Sequence, residues 1–295
     1  MMKLAAIDIG SNAVRLLISH VYENGDSSPL IKKASLYRVP VRLGEDAFTR
    51  GHISEKKAQH LVKTMVAFRN LLDVIEPAAC MACATSAMRE ADNGQEVMER
   101  VLNESGIQIH IIDGGMEADM ICSNAIAEKL NHSKSYLYID IGGGSTELSF
   151  FSGGKRLESR SFDIGTIRIL EGLVSSERWK EMGSWIKSTT KGHSPILGIG
   201  SGGNINKIAK IAEKDSTSPL SLARMQKVHQ HIQSHTYEER MRKLGLRPDR
   251  ADVIVPAGEI ILFVMEAARM SKLLVPKIGL SDGIIHHLYQ QQKPS

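Results

Sequence analysis

Tyr136-Leu-Tyr-Ile-Asp-Ile-Gly-Gly-Gly-Ser-Thr-Glu-Leu-Ser149 decides how this chain is read. An apolar run ends in a carboxylate, turns through three glycines, and continues through hydroxyls and a second carboxylate into another apolar run. Three glycines remove the side chains that would keep a backbone from closing around a phosphate, and they permit positive φ. Asp140 stands at the strand end, where a hard cation bridging to phosphate oxygens needs an oxygen ligand. A second copy lies near the N-terminus: Leu4-Ala-Ala-Ile-Asp-Ile-Gly-Ser-Asn-Ala-Val14. The shared core is apolar-Ile-Asp-Ile-Gly, and Asp8 precedes Asp140 by 140 − 8 = 132 residues. Two such turns in two similar halves say far more than either alone.

The bulk properties narrow the field. A chain of 295 residues has room for two domains, and 42% hydrophobic with 24% charged residues describes a soluble globular protein. The net charge of +4 is mild, and no dense Lys/Arg run marks a nucleic-acid binder. Cys80, Cys83 and Cys122 make no disulfide scaffold. Cys80 and Cys83 form a C-x-x-C, but inside the apolar run Ala78–Ala84 they read as core packing, which fits a reducing, cytoplasmic compartment. The first residues meet Asp8 too early for a secretory leader, and no apolar segment approaches the ~20 residues a bilayer requires. No membrane partner is expected.

Hydrophobic periodicity predicts strands over Leu4–Ile9, Val14–Val21, Leu30–Val39, Ala79–Ala84 and Ile107–Ile112 in the first half. Arg42-Leu-Gly-Glu-Asp46 opens an irregular segment. Helices follow Ser54, span Gln95–Asn103, and run from Glu117 to Leu130. The second half repeats the order. Its strands are Tyr136–Ile141, Glu147–Phe151, Arg156–Phe162, Pro195–Ile199 and Leu273–Leu280, with helix over Ile167–Lys187 (interrupted near Gly172), Asn204–Lys214 and Ser221–Met270, and a last helix after Ser281. The fold class is α/β, two duplicated βββαβαβα domains flanking a cleft. The domains are expected at 1–131 and 132–281, divided in the polar stretch Asn131–Ser135, with 282–295 returning to pack on the first.

Two other patterns invite overreading. Gly198-x-Gly-x-x-Gly203 matches the dinucleotide fingerprint, but no acid lies about 20 residues beyond it to take a ribose. No Walker A sequence is present. His229, His231 and His235 have metal-like spacing, yet no acid or cysteine completes the set, and the segment reads as a solvated helix face.

Six segments in order carry a resemblance to a known family: Ala5-Ala-Ile-Asp-Ile-Gly-Ser-Asn12, Val41-Arg-Leu-Gly44, Ala84-Thr-Ser-Ala-Met-Arg-Glu-Ala91, Asp113-Gly-Gly-Met-Glu-Ala118, Ile139-Asp-Ile-Gly-Gly-Gly-Ser-Thr-Glu-Leu148 and Gly198-Ile-Gly-Ser-Gly-Gly203. With them the chain resembles the exopolyphosphatase / guanosine pentaphosphate phosphohydrolase family, in a short two-domain form. That family sits within the superfamily of actin, sugar kinases and Hsp70 ATPases. The resemblance implies actin-like (ribonuclease H-like) domains and hydrolysis of terminal phosphoanhydride bonds of inorganic polyphosphate or guanosine pentaphosphate. It also implies Mg²⁺ or another divalent cation. Longer relatives carry a helical extension that this chain lacks, which points to short polyphosphate chains. The oligomeric state stays open, a homodimer included.

Asp8 and Asp140 are the expected metal ligands. Glu117 takes the position of the family's catalytic Glu, accepting a proton from the attacking water or orienting it; its neighbours depart from the family pattern at Met116 and Asp119. Glu147 follows as a second acid, on the cleft side if Ser145 and Glu147 alternate with Thr146. Arg89 is the best phosphate clamp, since a guanidinium can hold two phosphate oxygens; Arg15 and Arg42 are weaker ones. Ser11, Asn12, Gly142, Gly143, Gly144 and Ser145 complete the cradle. Gly200 and Gly202, in the third glycine turn, are expected near later phosphates of a chain. A non-catalytic polyphosphate sensor and an ATP-dependent kinase are the competing readings.

Overall fold

A computed structural model describes residues 1–24, 27–125, 131–212, 219–276 and 278–292. The chain divides into two compact units, Met1–Ile126 with Leu280–Ser295, and Ala127–Gly279.

The first unit is built on a five-stranded sheet. Strands β1 (Met2–Ile9), β2 (Val14–Asn24) and β3 (Ser27–Val39) form an antiparallel meander. Helices α1 (Leu43–Arg50) and α2 (Glu55–Ile75) lead to β4 (Ala79–Ala84), which pairs parallel to β1. After α3 (Ser86–Glu90) and α4 (Gly94–Ser105), β5 (Ile109–Ile111) pairs parallel to β4, and α5 (Gly114–Ala125) follows. The sheet order is β3-β2-β1-β4-β5. Central β1 is buried from Leu4 to Ile9, which explains why its sequence is a nearly continuous apolar run rather than an alternating one. Helix α2 buries Ala58, Leu61, Val62, Met65, Phe68 and Leu72, the one face its periodicity marks. Gly106 ends α4 at φ 67°, a left-handed position that suits glycine, with its N–H on Leu102 O.

The second unit repeats the plan and enlarges it. Strands β6 (Ser135–Ile141), β7 (Thr146–Ser152) and β8 (Lys155–Phe162) form the meander. Then come α6 (Thr166–Leu170), α7 (Ser176–Thr189), β9 (Ile196–Ser201) and α8 (Gly203–Ala212). The short strand β10 (Leu220–Ser221) precedes α9 (Leu222–Gln233), α10 (Tyr237–Arg242), α11 (Pro248–Ala251) and α12 (Ile254–Ala267). Strand β11 (Lys272–Leu274) lies between β10 and β9, giving the order β10-β11-β9-β6-β7-β8. Read from its other end, β8-β7-β6-β9-β11 reproduces the first sheet, and β10 is an addition. Helix α12 is apolar on nearly all sides because it is a core helix, burying Ile254, Ile260, Ile261, Val264 and Met265. Each unit has its own core.

The last helix, α13 (Leu280–Gln292), belongs to the first unit and packs on β1 and α5. No helix among the described residues is long and apolar enough to cross a membrane.

Several elements differ from the sequence reading. Segment 43–50 is a helix, not an irregular stretch. Its start is fixed by the β1–β2 turn, where Gly44 N donates to Ser11 O at 2.8 Å and Arg42 N to Asn12 O at 3.2 Å. Strand β11 stops at Leu274 rather than Leu280, and Pro276, two residues on, has no N–H for a ladder. The interruption expected near Gly172 is real: its φ of 69° separates α6 from α7. The predicted ends of two helices, at 126–130 and 213–214, lie outside the described residues.

Candidate active site

In the first unit the site begins where β1 ends. Asp8 faces Arg15 across the β1–β2 ladder and Cys83 across the β1–β4 ladder. It is buried, and Arg15 Nη1 donates to its Oδ2 at 2.6 Å. Arg15 therefore works on the carboxylate, where the sequence had offered it as a phosphate clamp. The turn that follows closes on itself through Gly10 N–Ala13 O at 3.1 Å. Ser11 is buried, its hydroxyl 3.0 Å from that of Ser86 at the start of α3, and Asn12 holds α1 through its carbonyl. Arg42 adopts left-handed φ of 57° and pairs with Glu45.

Arg89, near the end of α3, donates through Nη1 to Ile112 O at 2.8 Å. This ties it to the segment that introduces α5. That helix starts at Gly114, earlier than expected, because Asp113 caps it: Met116 N donates to Asp113 Oδ1 at 2.8 Å. Glu117 lies in the first turn, half-buried, where the helix dipole favours an anion. Met116 and Asp119 are exposed.

Cys83 reports what surrounds it. The thiol is pushed up to about 12, first by burial and then by the carboxylates of Asp8 and Glu117. The two acids expected to serve metal and water thus act on one buried sulfur. Cys80, three residues earlier and on the other face of β4, is exposed, so only one of the pair is core.

In the second unit Asp140 is opposite Glu147 on β7 and beside Ser201 on β9. Residues directly opposite point to the same face, so both carboxylates share one side of the sheet. Both are buried. Ser145 Oγ donates to Glu147 Oε1 at 2.6 Å, and Ser161 Oγ donates to the same oxygen at 2.9 Å.

The triple-glycine turn is held from behind. Thr166 N donates to Gly142 O at 3.1 Å, Ile167 N to Gly143 O at 2.8 Å, and Arg168 Nε to Gly144 O at 2.7 Å. In a trans peptide the carbonyl and the N–H point in opposite directions. The N–H groups of Gly143, Gly144 and Ser145 therefore face away from α6, a run of backbone donors of the kind that binds anions. Gly165 is where the turn meets α6, and a side chain there would run into the backbone of Gly143 and Gly144.

The third turn contains two glycines with different uses. Gly202 has φ of 108°, and a Cβ on it would stand 3.1 Å from Ile141 O and 3.3 Å from Asp140 Oδ1. It keeps the carboxylate clear. Gly200 makes room for α8 instead, since its Cβ would sit 2.9 Å from Ile205 Cγ2.

Each unit by itself offers a carboxylate of the kind a hard cation takes. Carboxylate oxygens of Asp8 and Asp140 lie beside Gly10 and Gly202, and a Cβ at those glycines would come within 3.7 and 3.3 Å of them. Mg²⁺ needs only one or two carboxylates besides phosphate and water. No group of three or more His, Cys, Asp or Glu converges as a metal cage among the described residues. The histidines follow suit: His229 is buried against Gly258, while His231 is exposed, His235 is half-buried, and the two stack edge-to-face at 4.6 Å. The sequence had placed all three on a solvated face.

Sequence reasoning passed over Arg168, Ser161 and Thr166. They lie 14 to 24 residues from the groups they hold. Only Gly165, at the N-cap of α6, hints at a close approach.

Comparison with known proteins agrees with this architecture. Exopolyphosphatase 1 of Mycobacterium leprae is 25% identical over 96% of this chain and 88% of its own length. A bifunctional 3-dehydroquinate synthase/phosphatase of Fusobacterium nucleatum is 28% identical over 88% of this chain, which spans 42% of that protein. Among solved structures, an exopolyphosphatase from Cytophaga hutchinsonii superposes with a TM-score of 0.82 at 23% identity, covering 99% of both chains. The Aquifex aeolicus Ppx/GppA family member gives 0.77 at 24% identity, covering 100% of this chain and 99% of its own. At such identities the structures speak for the fold: two α/β domains of this type. The model of the Ppx/GppA phosphatase family matches residues 21–292, and the chain belongs to that family.

Proposed function

We propose that this protein is a Mg²⁺-dependent hydrolase that removes terminal orthophosphate from inorganic polyphosphate, in short chains, or from guanosine pentaphosphate. The observation that carries this reading is the triple-glycine turn: three consecutive backbone N–H donors directed away from α6, beside the buried carboxylates of Asp140 and Glu147. The names of the curated relatives, exopolyphosphatases among them, supply the substrate class.

Asp8 and Asp140 are the carboxylates that would hold the cation, and Mg²⁺ would neutralise phosphate charge there. The amides of Gly143, Gly144 and Ser145 bind phosphate oxygens, with Arg89 as a further cation. Glu117 accepts the proton of the attacking water. The water oxygen forms a bond to the terminal phosphorus, and the phosphoanhydride bond breaks with its electron pair going to the bridging oxygen of the shortened chain. Glu147 is held by two hydroxyls and, as the second acid, would orient the attacking water.

The test is direct. Purified protein with Mg²⁺ is offered tripolyphosphate, long polyphosphate, guanosine pentaphosphate and ATP, and orthophosphate is measured. Release from tripolyphosphate or guanosine pentaphosphate is expected. Tight polyphosphate binding without release from any of the four would replace the enzyme with a sensor.

A further inference from the structure

The two units build the same turn and hold it differently. Gly10 N donates to Ala13 O at 3.1 Å in the first unit, and Gly142 N donates to Ser145 O at 2.9 Å in the second. Ser11 therefore corresponds to Gly143, and Asn12 to Gly144. The Ser11 and Gly143 carbonyls are treated alike: Gly44 N reaches Ser11 O at 2.8 Å, and Ile167 N reaches Gly143 O at 2.8 Å. The next carbonyl is not. Asn12 O is held by the backbone N–H of Arg42 at 3.2 Å, whereas Gly144 O is held by a side chain, Arg168 Nε, at 2.7 Å.

That carbonyl belongs to the Gly144–Ser145 peptide, whose N–H is the last of the three donors directed away from α6. Glycine restricts the neighbouring peptide planes least, so the direction of this one has to be set by hydrogen bonds. Arg168 is buried, and the low dielectric around it strengthens the bond it makes. A bond to the carbonyl also polarises the peptide and makes its N–H a better donor. Gly165 lets α6 close in far enough for this contact, since a Cβ there would fall 2.3 Å from Gly143 O.

We infer that Arg168 is a positioning residue for phosphate: by holding Gly144 O it sets the Ser145 N–H toward the substrate, without touching the substrate itself. The inference rests on the reading of the triple-glycine turn as the phosphate cradle. Binding that is equal in the ground and transition states shows in KM rather than kcat, a signature that a general loss of packing does not produce.

Arg168→Met and Arg168→Gln separate the hydrogen bond from the bulk of the side chain. Both match the length of Arg168 as far as Nε, where Gln carries an N–H donor and Met a methyl. With tripolyphosphate and Mg²⁺, Arg168→Met should raise KM at least about tenfold and leave kcat within about threefold of wild type. Arg168→Gln should bring KM back to within about threefold of wild type. The Ser145 amide, followed by NMR as orthophosphate is added with Mg²⁺, gives a readout without turnover. It serves with wild type and Arg168→Gln alone if the Met variant does not fold, and should shift in both at comparable concentrations. Wild-type KM in Arg168→Met, equal defects in the two variants, or a loss confined to kcat would overturn the positioning role while leaving the phosphate-binding turn in place. A wild-type Ser145 amide unmoved by orthophosphate would instead sink the reading of the turn, and the role of Arg168 with it.

Discussion

Ser161 on β8 donates its hydroxyl to Glu147 Oε1 on β7 at 2.9 Å, and thereby fixes a carboxylate that is only 2% exposed. Ser145 donates to the same oxygen at 2.6 Å, so the acid is held from the turn before its own strand and from the neighbouring strand. A hydrogen bond to a charged group contributes about 1.5–3 kcal/mol. Ser161→Ala should therefore lower stability by about that amount in urea unfolding. It should also lower kcat for tripolyphosphate more than it raises KM, because the substitution frees the carboxylate without touching the phosphate cradle. A change confined to KM would place Ser161 outside the reaction.

Gly202→Ala is the sharpest test of the third turn. The backbone sits at φ 108°, and the new methyl would stand 3.3 Å from Asp140 Oδ1 and 3.1 Å from Ile141 O. The conformational strain alone costs about 1–3 kcal/mol. We expect a folded protein of reduced thermal stability whose apparent Mg²⁺ requirement rises, because the methyl crowds the Asp140 carboxylate. Wild-type stability and Mg²⁺ dependence together would show that the glycine is incidental.

Cys83 predicts a pH dependence. Its folded value of about 12 lies above the ordinary thiol value, raised by burial and by the charges of Asp8 and Glu117. The folded state thus holds a proton that the unfolded state releases first. Its contribution is intact below the unfolded value and is lost as pH rises toward the folded one, at up to about 1.4 kcal/mol per pH unit. Urea unfolding at pH 8 and pH 10 should show a steeper loss for the wild type than for Cys83→Ala. In the native protein at pH 8 the Cys83 thiol should also resist alkylation, and it should react once unfolded. Equal slopes for the two proteins would contradict the electrostatic description of this site.

The sheets were legible because their signals are local. Leu4–Ile9 and Tyr136–Ile141 are buried apolar runs that end at glycine turns, and the repeated Ile-Asp-Ile-Gly announced that the second sheet would copy the first. What escaped depends on contacts distant in sequence. Helix α1 starts from a left-handed Arg42 held by the carbonyl of Asn12, which no periodicity reveals. His229 sits in a polar-looking segment and is buried because Gly258 on α12 leaves it space. Strand β10 is two residues long and exists through its pairing with β11. At the site, the carboxylates and glycines could be read from motif and resemblance. Their supports could not: Arg168 and Ser161 act across 24 and 14 residues, and nothing in the spacing of the glycine motif points to them.

The central claim is that Glu117, acting beside Asp8, takes the proton of the attacking water. Glu117→Gln keeps size and hydrogen-bonding capacity but cannot accept that proton. Orthophosphate release from tripolyphosphate with Mg²⁺, measured for wild type and Glu117→Gln at saturating substrate, tests it most directly. General-base assistance contributes about 10²–10⁴-fold, so the variant should lose at least about a hundredfold in kcat while still binding polyphosphate. Undiminished turnover in Glu117→Gln would contradict the account.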